Sequence, residues 1–380
     1  MTKFVRIVTL LIVLISSKSS LVYSQEILDI KFSNSTKVKK VEAFEAFSSY
    51  QKVEFENFIT SSPYEVKFHN EKWIFISKPT FQITIYDGKF KEELVSFGRN
   101  GRGPGEGGFI QSYSIVDNFI YLYDSTLRKI SVFKLTGEHQ FDVLNDHQDV
   151  PYHINDLEHI SGNMFIATGI TLDGYASLNK GDLYKNLFLV NITRNGITPI
   201  DAQIIHPDNI SNGIQDYDIV SSTVTSPYKF SNSKEGLIFR NQNSNQVYLL
   251  VVKDEKISIK KKIQLGEKIF QLHPIAKENE FNRSKKVREE WLLNGSFLID
   301  VYENDDSIFF YTSNLMENYS LKYRLTVLRK QDYRISDVID IMDNEIIRRI
   351  DDSYIYTVSY NSDSDVYEYG KLEISSILNK

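Results

Sequence analysis

The strongest constraint on this chain is a beat of short segments, alternately apolar and polar, that recurs from Tyr64 almost to its last residue. Successive side chains of a strand point to opposite faces, so such alternation over roughly four to eight residues marks a half-buried strand. One run covers Tyr64 to Ile76 and another Gln82 to Phe97. They are followed by Ile110 to Val116, Phe119 to Asp124 and Lys129 to Lys134. Turn residues such as Thr136-Gly137-Glu138 and Arg194-Asn195-Gly196 punctuate the beat. The 24 Phe and 23 Tyr, with abundant Ile and Val, suit a pleated surface buried on one face. Grouped by fours, the segments form six units beginning near Tyr64, Ile110, Ile154, Tyr228, Phe297 and Ile346. Units of about 40 to 70 residues with roughly four strands each describe propeller blades. No Pro/Gly/Ser-rich linker divides the series, as two sandwich domains would require. The expected fold class is all-β: a six-bladed β-propeller over 52–380.

The sixth unit holds only three strands after Met342, namely Ile346 to Ile350, Tyr354 to Tyr360 and Val366 to Ser375. An open blade edge would leave backbone donors and acceptors unpaired. Lys52 to Phe58 offers a spare strand, so Val53, Phe55 and their neighbours are expected to pair with Val366 to Ile374 and close the ring. Before it, 25–51 reads as a lead segment with a short helix over Thr36 to Tyr50, apolar at Val38, Val41, Phe44 and Phe47. A second helix is expected as an insertion over Pro274 to Leu293. Proline stands near its start and Gly295 past its end, while Phe281, Val287, Trp291 and Leu292 dock on the ring.

Residues 1–24 have the order of a secretory signal. Lys3 and Arg6 precede the apolar run Ile7 to Ile15, and Val22-Tyr23-Ser24 places a small residue before a cut at Gln25. This nine-residue run, interrupted only by Thr9, falls far short of the roughly 20 apolar residues that a membrane-spanning helix needs. The chain contains no cysteine, which excludes disulfides, thiol nucleophiles, cysteine zinc sites and attachment of a lipoprotein lipid. The expectation is an exported product, periplasmic or secreted, without a lipid anchor or membrane insertion after cleavage. Loss of Lys3, Arg6 and Lys18 leaves 41 basic against 50 acidic residues, a balance of −9. Such an acidic chain without a basic block is a poor partner for nucleic acid.

The sharpest motif is Phe97-Gly98-Arg99-Asn100-Gly101-Arg102-Gly103-Pro104-Gly105-Glu106, where five of ten residues are Gly or Pro. It joins the first unit to the second, so it should cross one face of the ring towards the channel. It neither opens a helix nor ends in Lys-Ser/Thr, which excludes a phosphate-binding P-loop. Arg99 and Arg102 could grip a carboxylate or sulfate. The competing reading is structural: Arg102 pairs with Glu106, and Gly98, Gly101, Gly103, Pro104 and Gly105 shape the loop.

With Tyr121-Leu-Tyr-Asp124 and Ile130-Ser-Val-Phe133 behind it, this string resembles the exported six-bladed β-propeller proteins typical of Bacteroidetes, relatives of NHL-repeat propellers. The resemblance implies the same fold and an export route, and no agreed reaction. Many members are lipoproteins, and this chain lacks the cysteine.

Other constellations are sparser. His147, His153 and His159 lie six apart among Asp146, Asp149 and Asp156, and His153 and Asp156 begin the third unit's inner strand. Those two are the channel candidates for ligand binding. Asn361-Ser-Asp363-Ser-Asp365 with Glu368 lacks the glycine of a calcium loop and reads as a polar turn. There is no G-x-S-x-G elbow and no HExxH pair. No catalytic residue, metal ligand or cofactor is assigned. The leading expectation is a monomeric binding module for a glycan, peptide or protein. The alternatives are a metal-assisted lyase or lactonase at the channel mouth, and a structural part of an outer-membrane assembly.

Overall fold

The computed structural model describes residues 26–30, 39–40, 51–53, 65–88, 92–146, 153–170, 187–200, 228–253, 255–273, 284–318, 320–341, 345–361 and 366–378. Three short strands come first: β1 (Glu26–Ile30), β2 (Lys39–Lys40) and β3 (Gln51–Val53). Blade 1 is β4 (Glu65–His69), β5 (Lys72–Ser77), β6 (Gln82–Asp87) and β7 (Glu93–Phe97). A two-residue pair, β8 (Arg99–Asn100) and β9 (Glu106–Gly107), bridges to blade 2. That blade is β10 (Ile110–Val116), β11 (Phe119–Asp124), β12 (Lys129–Lys134) and β13 (His139–Leu144). Blade 3 is β14 (His153–Ser161), β15 (Met164–Ile170), β16 (Leu187–Thr193) and β17 (Gly196–Ile200).

Blade 4 comprises β18 (Tyr228–Ser233), β19 (Gly236–Asn241), β20 (Gln246–Lys253) and β21 (Lys256–Leu265). Helix α1 (Lys285–Leu293) precedes blade 5, made of β22 (Ser296–Glu303), β23 (Ser307–Leu315), β24 (Leu321–Arg329) and β25 (Ile335–Ile341). Blade 6 has β26 (Glu345–Ile350), β27 (Tyr354–Asn361) and β28 (Val366–Glu373), before a single helical turn, Ile374–Ile377. The six-bladed propeller expected from the sequence is thus present.

β3 closes the ring. Val53, Lys52 and Gln51 pair antiparallel with Tyr369, Gly370 and Lys371, completing blade 6 as its fourth strand. Phe55 lies outside the described residues. The lead segment does more than was expected of it, because β1 runs parallel to β21 and β2 parallel to β25. Consecutive pieces of one segment therefore cover the outer edges of blades 4, 5 and 6, where unpaired backbone would otherwise face water. At Lys39–Lys40 the structure has a strand within the span where a helix was expected. Ladder bonds to β25 satisfy that backbone instead of a helical turn.

The core lies between blades, as wedges filled by facing sheet surfaces. Ile74, Ile83 and Ile85 of blade 1 meet Ile120, Leu122 and Phe133 of blade 2. Equivalent wedges join blades 2 and 3, 3 and 4, 4 and 5, and 5 and 6. Across the closing seam Trp73 packs edge-on against Tyr356 at 4.7 Å, and Arg349 donates to the carbonyl of Phe68 at 2.6 Å. Helix α1 is packed as expected: Ser284 caps it through Val287 N, and buried Trp291 stacks on His273 at 3.8 Å. The remainder of that expected helix, 274–283, lies outside the described residues.

Candidate functional site: the central channel

The first strand of each blade, β4, β10, β14, β18, β22 and β26, lines a cavity of about 320 Å³. A strand sends alternate side chains to one face, so one inner strand can deliver charges at i and i+2 to the channel. Glu65 and Lys67 come from β4, Ser112 and Ser114 from β10, and Asp156 and Glu158 from β14. β22 contributes Asp300 and Tyr302, and β26 contributes Arg348. Four of these strands carry a bulge: between Ile110 and Ser112, Ile154 and Asp156, Leu298 and Asp300, and Ile347 and Arg349. A bulge re-aims the residues that follow it. Here those residues include Ser112, Asp156 and Asp300, all of which line the cavity.

Two of the carboxylates tie blades together. Asp156 accepts from Ser112 Oγ of blade 2 at 2.9 Å and from Phe230 N of blade 4 at 2.7 Å. Asp300 accepts from Ser231 Oγ at 2.9 Å and from Arg240 Nη2 at 2.8 Å, both on blade 4, and from its neighbour Val301 N. Burial pushes the Asp156 carboxyl up, although Lys229 and these donors oppose the shift. Burial acts on Asp300 in the same direction, but the Arg240 guanidinium and Lys67 outweigh it and hold the carboxyl low.

Glu65 is a paired group as well. Lys78 lies 2.6 Å away, and despite burial the lysines around Glu65 hold it at about 2. The hydroxyl of Tyr113 donates to it and, being buried beside that charge, stays protonated far into the alkaline range.

Glu158 differs from all of these. Burial lifts its carboxyl to about 7; Lys67 and an Asn232 Nδ2 donor at 3.1 Å oppose the rise, and the Asp156 charge adds to it. Lys67, Lys229 and Arg348 also line the cavity, and among the described residues no hydrogen bond or ion pair ends on their charged groups. The Nε of Arg348 is buried without a partner. A buried donor left unpaired is costly, so the site holds an unmet demand for an acceptor.

The expected site residues divide between two places. Asp156 lines the channel, but both its oxygens are occupied by protein donors. His153 does not line the cavity; it packs edge-on to Tyr123 at 6.4 Å, and burial lowers its basicity. His147 and Asp149 lie outside the described residues. His159 Nε2 is within 3.0 Å of the Gly162 carbonyl, in its own hairpin turn. Among the described residues no three His, Cys, Asp or Glu side chains gather as metal ligands.

The glycine-rich loop does not reach the cavity. Arg99, not Arg102, pairs with Glu106, through Nε at 2.7 Å and Nη2 at 2.6 Å. The parallel β8–β9 register sets Arg99 opposite Glu106, which places this arginine within reach. Glu106 also accepts from Gly103 N at 2.8 Å, and that bond, Arg99 and the Arg102 backbone hold its carboxyl below the ordinary carboxylate range. The Arg102 side chain is exposed. Asp142 of β13 accepts from Gly105 N, Lys129 Nζ and His139 Nε2, pinning the loop to blade 2. Gly98 (φ 77°) and Gly105 (φ 69°) occupy left-handed backbone, and a Cβ on Gly98 would meet the Phe81 carbonyl oxygen at 2.4 Å.

Sequence reasoning missed Lys67, Glu158, Lys229 and Arg348. A usable signal was present: the strands opening five of the six units carry charge where a buried strand should be apolar, as in Glu65-Val-Lys67 and Asp156-Leu-Glu158.

No family model and no curated protein matches this chain. Solved structures do. One is a protein assigned as exported, from Bacteroides fragilis NCTC 9343, at TM-score 0.54 and 9% identity, covering 93% of this chain and 100% of that one. Another is a member of the DUF4221 family from Bacteroides vulgatus ATCC 8482, at TM-score 0.57 and 10% identity, covering 85% and 95%. At such identities the likeness is one of fold: this chain is built on the same propeller scaffold as both.

Proposed function

We propose that this chain is an exported binding protein that holds a small polar ligand in the central channel of its propeller. One observation carries the reading: all six inner strands deliver side chains to a single cavity of about 320 Å³, and among the described residues no hydrogen bond or ion pair ends on the charged groups of Lys67, Lys229 and Arg348, the Arg348 Nε being buried. Pockets of this size, with a few convergent polar groups, are the usual form of a small-molecule site. Export is supported by the signal-like order of residues 1–24 and by the Bacteroides proteins that share the fold. No helix among the described residues is long and apolar enough to cross a membrane. The glycine-rich loop serves this function as a brace between blades 1 and 2, since its carboxylate and backbone donors are consumed internally.

A binding screen of the purified protein against short glycans and peptides, neutral and charged, tests the reading. Ligands found should lose at least tenfold in affinity with Lys67→Ala and Arg348→Ala, while Arg102→Ala leaves affinity unchanged. The opposite ranking would move the site to the loop.

A further inference from the structure

The channel's charges do not balance, and the imbalance points to one class of ligand. Glu65 is matched by Lys78, and Asp300 by Arg240. Lys67, Lys229 and Arg348 then face only Asp156 and Glu158, of which Asp156 is saturated by Ser112 and Phe230 N. With Glu158 ionised the cavity keeps one surplus positive charge; with Glu158 protonated it keeps two.

On the channel-binding reading above, we propose that the ligand enters as an oxyanion, its acid group held by Lys67, Lys229 and Arg348, and that Glu158 takes up one proton as it binds. The geometry supplies both halves. The Arg348 Nε is a buried donor with no acceptor, and a guanidinium fork is shaped for a carboxylate, sulfate or phosphate. Glu158 lines the same cavity and, among the described residues, has a protein donor on Oε1 alone, from Asn232. A second negative charge brought beside it disfavours its ionised form, as two carboxylates sharing a site do. Protonated, Glu158 turns from a repelling charge into a donor towards the anion. No bond is made or broken; the proton comes from solvent and returns to it on release.

The groups around Glu158 fit this assignment. Asp156 stands on its own strand, Lys67 on β4, Tyr113 on β10, and Asn232 and Lys229 on β18. Burial holds Glu158 at about 7, so the uptake falls within an ordinary pH range. His69 also lines the cavity, with its Nε2 2.6 Å from the Asp117 carbonyl, and must be separated experimentally.

Inorganic sulfate and acetate are the probes, since sulfate stays doubly charged and acetate singly charged between pH 6 and pH 8.5. Affinities are measured by calorimetric titration of the purified protein at both pH values. We expect sulfate to bind more tightly at pH 6, by up to about 30-fold for one linked proton, and acetate to show the same sign. Glu158→Gln should bind sulfate at pH 8.5 as tightly as the unaltered protein does at pH 6, with no remaining pH dependence. Arg348→Ala should weaken both probes at both pH values. A tetrahedral ligand group is indicated if sulfate is preferred, a planar carboxylate if acetate is. Equal sulfate affinity at the two pH values overturns the proton coupling, as does pH dependence that survives Glu158→Gln and so belongs to His69. If neither anion binds at either pH, the oxyanion assignment falls. The channel reading would then stand or fall separately on neutral ligands lost with Lys67→Ala.

Discussion

The glycine-rich loop and the central channel are both dense in charge, and they use it in opposite ways. In the loop the carboxylates are answered within one stretch of chain or on the adjoining blade: Glu106 by Arg99 and Gly103 N, and Asp142 by Lys129, His139 and Gly105 N. In the channel Asp156 reaches partners 44 and 74 residues away, Ser112 and Phe230, and the buried Arg348 Nε has no acceptor. On the reading proposed above, the contrast separates bracing from binding: carboxylates answered within the loop ask nothing of a ligand, whereas a cavity with surplus donors does.

The largest test of that contrast opens the ring. Deleting 366–380 removes β28, which pairs with both β27 and β3, and so exposes two ladder edges at once. The channel exists only while the ring is closed. We expect loss of the single cooperative thermal transition, seen by circular dichroism, with no folded remnant retaining the cavity. A stable five-bladed remnant would show the blades to be independent.

Next comes a tie within the channel. Asp300→Ala leaves the buried Arg240 guanidinium, whose side chain is 3% exposed, without its counter-charge. The cost should be about 2–4 kcal/mol in chemical denaturation, at the lower end if water through the channel screens Arg240.

The loop's own weak point is backbone shape. Gly105→Val places a β-branched residue at φ 69° with its Cβ 3.0 Å from the His139 ring. It should cost about 1–3 kcal/mol and, if the loop braces rather than binds as proposed, leave ligand affinity unchanged.

Glu158 gives a smaller effect with a definite sign. Its folded value near 7 stands above the ordinary 4.5, so between these values the native state carries a proton that the unfolded chain has lost. Stability is therefore lost as pH rises through this window and stays lower above it. Glu158→Gln should gain on the order of 1 kcal/mol over the unaltered protein at pH 8 and nothing at pH 4. A gain of equal size at both pH values would remove the ionisation argument.

The smallest effect belongs to Arg102→Ala. With the side chain exposed and Arg99 holding Glu106, a thermal melt should move by less than about 0.5 kcal/mol. A larger loss would mean that the loop's ion pair is shared.

The sequence alone determined the six units and the closing strand, because period-two alternation and turn residues are local and an open blade edge is a backbone deficit that can be counted. Val53 and Tyr369 therefore meet within the stretch where pairing was expected. It also marked the glycine-rich loop, since Gly98 and Gly105 announce left-handed backbone in their residue type. It misjudged which arginine serves Glu106, because the parallel β8–β9 register depends on how the loop folds back. It did not foresee β1 and β2 as outer strands of blades 4 and 5, because pairing with β21 and β25 spans more than 200 residues and leaves no local trace. Most of all, only the tertiary structure decided the channel. Lys67, Glu158, Lys229 and Arg348 sit on four separate strands, each looking like an ordinary charged surface position. Closing six blades around one axis turns those positions onto one cavity, where burial raises the Glu158 carboxyl and leaves the Arg348 Nε without an acceptor.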